Sequence, residues 1–112
     1  MSYMKALTAA GAEVVRYAYF GDYQGTILAE VNYQGKNGYV TVFYGSCALC
    51  DPYESFVEGF DWDHELTEAE LAEFGKSYLD VMRSEEETLR RHEKDAEWDT
   101  DAEDMVRWIQ KG

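Results

Sequence analysis

Alternation of apolar and polar positions dominates the first half of the chain, and a helical period dominates the second. Ala12 to Phe20 sets Val15, Tyr17 and Tyr19 against Val14, Arg16 and Ala18. Thr26 to Tyr33 sets Ile27, Ala29, Val31 and Tyr33 against Thr26, Leu28, Glu30 and Asn32. Successive side chains of a strand point to opposite faces, so both stretches predict strands. Gly21 to Gly25 reads as a turn between them. Gly35 to Gly38 contains Asn37-Gly38, the pair whose positive φ suits a two-residue hairpin, and Tyr39 to Tyr44 then closes an antiparallel meander. One sheet face is expected to be core and the other wetter.

Helices flank this meander. Tyr3 to Ala10 forms a short candidate ended by Gly11, and Asp51-Pro52 marks another from Pro52 to about Gly59. Thr67 and Glu70 stand at capping-box spacing, with Leu66 and Leu71 placed as a hydrophobic staple. Leu71, Phe74, Tyr78 and Met82 follow at helical spacing. Ser84 either restarts or interrupts this helix before Leu89. A last helix starts near Thr100 and turns Met105, Val106, Trp108 and Ile109 inward. The expected class is α+β: a three-stranded antiparallel meander over about 12–45, followed by C-terminal helices packed against it, in one domain spanning 1–112.

Charge changes the picture. The 112 residues carry 10 basic and 23 acidic side chains, a net charge of −13. Residues 1–50 balance three of each, so the entire excess lies beyond residue 50. Such a field repels nucleic acid and anionic lipid and attracts basic proteins. Direct nucleic-acid binding and membrane association are therefore not expected. No apolar run is long enough to span a membrane, and Glu13 and Arg16 interrupt any signal-like stretch, which points to the cytoplasm.

Cys47 and Cys50, two residues apart, are the most distinctive local feature. Such a pair can reach one tetrahedral zinc ion, with His64, His92 or a carboxylate such as Asp51 to supply the two further ligands, but a second cysteine pair is missing. A redox dithiol is the related alternative, and Asp51 opposes the thiolate it needs. The simplest reading makes both thiols small core residues at a tight corner, with no cofactor. Asp61, Asp63 and Glu65 alternate like a calcium loop, yet Leu66 and Ala72 stand where that loop needs glycine and glutamate. His64 and His92 have no evident nucleophile beside them, and neither a phosphate loop nor a Gly-x-Ser-x-Gly elbow is present, so an enzyme is not expected.

The acidic half offers another chemistry. Duplex DNA carries one charge per about 1.7 Å of axis. Carboxylates of Glu85, Glu86, Glu87, Asp95, Glu97, Asp99, Asp101, Glu103 and Asp104, gathered on one ridge among Trp62, Trp98 and Trp108, would imitate that spacing and occupy the basic groove of a nucleic-acid-binding protein. An aromatic sheet face pairing subunits as a homodimer is a further possibility.

Gly21-Asp22-Tyr23-Gln24-Gly25 and Tyr44-Gly45-Ser46-Cys47-Ala48-Leu49-Cys50-Asp51 resemble a group of small acidic proteins encoded by bacteriophages and prophages, across about residues 12 to 60. In size and charge the chain is also similar to phage anti-restriction and anti-CRISPR inhibitors. The resemblance implies a non-enzymatic inhibitor acting in a host cell on a basic host protein or nucleoprotein complex. It transfers no catalytic residue.

Overall fold

In the computed structural model, residues 2–21, 25–44, 56, 66–96 and 100–111 are described. In chain order they form α1 (Ser2–Ala9), β1 (Glu13–Gly21), β2 (Gly25–Tyr33), β3 (Lys36–Tyr44), α2 (Glu68–Leu79), α3 (Glu85–Asp95) and α4 (Thr100–Lys111). The three strands make an antiparallel sheet in the order β1-β2-β3, and the C-terminal helices pack against it. The predicted α+β class therefore holds.

The β2–β3 turn differs from expectation. Tyr33 pairs with Lys36, so the turn is Gln34-Gly35, both at positive φ (52° and 79°), as a two-residue hairpin of this hand requires. Asn37 and Gly38 sit inside β3. The Asn37 amide instead donates to Glu30 Oε2 and Asn32 Oδ1 across the sheet. Gly38 is small because α2's exit crosses it: a β-carbon there would lie 2.6 Å from Met82 Cγ and 2.9 Å from the Arg83 carbonyl oxygen. At that crossing the amides of Tyr39 and Arg83 donate to each other's carbonyl oxygens.

Both sheet faces are covered, against the expected wet face. Ile27, Ala29 and Val31 meet Tyr3, Met4 and Leu7 of α1 and Phe74 and Leu79 of α2. On the opposite face Leu28 and Tyr39 meet Met105 and Ile109 of α4, with Phe20, Leu89 and Trp108 at the margin. Leu28 and Ala29, adjacent in β2, are both 0% exposed. The physical reason is geometric. Two amphipathic helices following one small sheet need an apolar surface each, and α2 already fills the first.

The helix ends follow their caps. Thr67 accepts from the Glu70 amide while the Glu70 side chain accepts from the Thr67 amide, completing the box that starts α2. α2 stops at Leu79, so Met82 joins the core from beyond the helix. Ser84 accepts from the Glu87 amide and so starts a separate helix, which resolves its role. The helix expected over Pro52 to Gly59 lies outside the described residues except for Phe56, whose ring sits 4.9 Å from that of Phe74.

Candidate functional site

Helices α3 and α4 carry most of the carboxylates read as a binding surface. Glu85, Glu86 and Glu87 open α3, and Asp101 and Glu103 stand in the first turn of α4, where carboxylates complement the positive helix end. Glu85, Glu86, Glu87, Asp95, Glu103 and Asp104 are exposed, whereas Asp101 is half-buried. Glu97 and Asp99 lie outside the described residues. The helices run in opposite senses. The charge of Glu85 acts on Tyr39, which stacks edge-on with Trp108 near the end of α4. His92 and Asp95 face Ala102 and Met105 near its start.

This arrangement divides the carboxylates into two groups rather than one ridge. Glu85 to Glu87 lie at one end of the pair, and Asp95, Asp101, Glu103 and Asp104 at the other, about 15 Å away along the helix. Arginines also answer part of the charge: Arg90 pairs with Glu86 at 2.8 Å, and Arg107 pairs with Glu103 and with Asp104. Glu85, Glu87, Glu93 and Asp95 have no cation within pairing distance among the described residues. Of the twenty acidic residues beyond position 50, twelve are described, against all seven basic ones.

Behind this surface lies a cluster absent from the sequence reading. Arg16, the one basic residue of β1, donates from Nε to Glu30 Oε1 at 2.7 Å and from Nη2 to the Tyr39 hydroxyl at 2.9 Å. It also donates to the carbonyl oxygens of Trp108 (2.6 Å) and Ile109 (3.2 Å), two of the four that the end of α4 leaves without helical partners. Its guanidinium carbon sits 4.0 Å from the Trp108 ring centroid. Only 23% of the Arg16 side chain and 19% of the Glu30 side chain are exposed. One cation thus fastens β1 to β2, β3 and α4. The signal available in sequence was an arginine and a glutamate, each on an alternating strand.

The cluster makes stability depend on pH. The hydrogen bond from Arg16 holds the Glu30 carboxyl below its usual range, against the opposing effect of burial. Burial, helped by the charges of Glu30 and Glu85, pushes the Tyr39 hydroxyl up despite Arg16. A depressed carboxyl contributes stability above the unfolded-state pKa and loses it as pH falls through the folded value. A raised phenol contributes below the ordinary tyrosine pKa and loses it as pH rises through the raised one. In urea denaturation across pH, the stability gap between the natural chain and Glu30→Gln narrows on the acid side. A gap that stays constant from neutral to acid pH excludes the assignment.

Two grooves flank the sheet. One, of about 550 Å³, wraps the outer edge of β3 and is lined by Thr41, Phe43, Val81, Arg91, His92 and Asp95 among others. It holds the half-buried His92. The other, of about 910 Å³, runs along β1 between Lys5, Thr8 and Glu68. The smaller groove's lining also includes Ser77, whose hydroxyl donates to the Phe74 carbonyl oxygen at 2.6 Å. Among the described residues no group of three or more His, Cys, Asp and Glu could hold a metal ion, and no helix is long and apolar enough to cross a membrane. The zinc candidates Cys47, Cys50 and His64 lie outside the described residues.

No family model matches the chain, and no curated protein or solved structure matches it either.

Proposed function

We propose that this chain is a non-enzymatic, phage-type binding protein. Its acidic helices α3 and α4 occupy a basic surface that otherwise handles nucleic acid, on a host defence protein or nucleoprotein complex. The observation that supports this reading is the set of exposed carboxylates Glu85, Glu87, Glu93 and Asp95, none matched by a cation among the described residues. The carboxylates that are matched remain usable. Exposed i,i+4 pairs such as Arg90 with Glu86 hold by about 0.3–0.5 kcal/mol, so a partner's lysine or arginine displaces them readily. Two separated anionic groups on one rigid helix pair would also reach two stretches of a basic groove at once. The Arg16 clamp holds α4, and through it the pair, in place on the sheet.

The test uses the full chain as bait in a host lysate at low and raised salt, beside a Glu85→Gln, Glu87→Gln, Asp95→Asn, Asp104→Asn variant. The expected capture is a basic nucleic-acid-binding protein, released by salt and by excess duplex DNA and reduced about tenfold or more by the variant. Capture that is indifferent to salt, to DNA and to the four substitutions overturns the proposal.

A further inference from the structure

Five arginines occur in the chain, and three of them answer carboxylates: Arg16 with Glu30, Arg90 with Glu86, and Arg107 with Glu103 and Asp104. Arg83 and Arg91 do not. Among the described residues neither side chain has a carboxylate within pairing distance or a hydrogen bond. With 23 acidic side chains against 10 basic ones, an arginine that meets no carboxylate is the exception. Both exceptions line the same groove, the one of about 550 Å³ along the outer edge of β3.

The apolar part of this groove is equally distinctive. Phe43 and Val81, at 64% and 60%, are the most exposed large apolar side chains among the described residues, and both line it. Its volume falls within the range of about 300–1,000 Å³ that small-ligand sites occupy, and such sites join apolar walls to a few polar groups. The backbone sets its length. Arg83 is held beside Tyr39 by reciprocal amide-to-carbonyl bonds of 2.7 and 3.0 Å. Phe43 lies four residues farther along β3, about 13 Å by the rise of a strand, with its side chain on the same face as that of Tyr39. Arg91 and Asp95 stand about one turn apart on α3.

We infer that this groove binds a nucleoside monophosphate. Two guanidiniums call for two negative charges on one group, which a phosphate monoester approaches near neutral pH and a carboxylate does not. Each planar fork holds phosphate oxygens through paired N–H bonds. The open ring of Phe43 offers a base a face to stack on. A sugar between phosphate and base spans the distance from the Arg83 end to Phe43. Asp95, ionised, is an acceptor only. It repels the phosphate and accepts from sugar hydroxyls, which fixes the direction in which the molecule lies. Arg83, Arg91 and Phe43 are not among the carboxylate contacts proposed above, so the two readings fail separately.

Isothermal titration of the full chain with the adenosine, guanosine, cytidine and uridine 5′-monophosphates, each alone, tests the inference. At least one binds with a dissociation constant below about 100 µM. Arg83→Gln, Arg91→Gln and Phe43→Ala each weaken it at least about tenfold. Arg90→Gln removes the same charge from the same helix outside the groove and leaves the affinity within about twofold. The matching nucleoside and inorganic phosphate each lack half of the ligand and bind at least about tenfold more weakly, as does phosphotyrosine, which has a ring and a phosphate but no sugar. Circular dichroism checks that each variant folds, and the ligand comparisons need no variant at all. No binding of any of the four up to about 1 mM overturns the inference. So does an equal loss in Arg90→Gln and Arg91→Gln, or phosphotyrosine binding as tightly as the nucleotide.

Discussion

Replacing Arg16 by alanine lowers the free energy of unfolding by about 3 kcal/mol and the melting temperature by roughly 10–15 °C. The side chain makes four hydrogen bonds and stacks on Trp108, and its loss strands more than one group. Glu30 keeps the Asn37 amide but loses its cation in a largely covered site, which is the costly half of breaking such a pair. The Trp108 and Ile109 carbonyls lose their donor at the same moment. Arg16→Lys recovers a minor part, because an ammonium cannot present a planar fork to a carboxylate, a hydroxyl and two carbonyls together. Chemical denaturation of the three proteins measures the differences. An Arg16→Ala variant within about 0.5 kcal/mol of the natural chain shows the clamp to be ornamental.

Gly75→Ala is expected to be comparably damaging, although it improves the local sequence. Alanine is favoured over glycine inside a helix by about 1 kcal/mol, and Gly75 lies in the middle of α2. The β-carbon has no room, however. It overlaps the carbonyl of Ala6 in α1 and comes within 2.9 Å of the Leu7 amide nitrogen. These are backbone atoms, so no rotamer change relieves the clash. The helices must separate, opening the contacts of Tyr3 with Phe74 and Tyr78. Overpacking of this kind costs about 3 kcal/mol net of the propensity gain. A drop in melting temperature with loss of aromatic near-ultraviolet dichroism, at unchanged helical content, is the expected record. Unchanged stability would mean that α1 and α2 approach less closely.

The elements were legible because each has a local cause. Period-two alternation placed the strands, and Thr67 and Thr100 mark helix starts that the spacing predicted, whereas Ser84 was open between a restart and an interruption until its cap decided it. Asn37-Gly38 misled because turn propensity is a local quantity, whereas the turn was set by the register that lets Gly38 admit Met82. The second covered face was hidden for a related reason. Thr26, Leu28, Glu30 and Asn32 read as a mixed, wetter row, yet Thr26 and Leu28 are buried once α4 arrives and Arg16 answers Glu30. Counting amphipathic helices against sheet faces would have revealed it. The carboxylates were legible as a population, but their division between two helix ends depends on the opposite senses of α3 and α4.

The irregularity in β1 separates two kinds of change along that strand. Val14 pairs with Val31 and Arg16 with Glu30, so Val15 is a supernumerary residue between neighbours in the ladder. Shortening the chain by one there leaves every remaining partner in register and merely straightens the strand. The same loss at Ala18 reverses the facing of everything on one side of it, sending either Arg16 away from α4 or Phe20 away from its ring partner Trp108. Length variation among descendants of this sequence is therefore tolerable at one point of β1 and ruinous a few residues on.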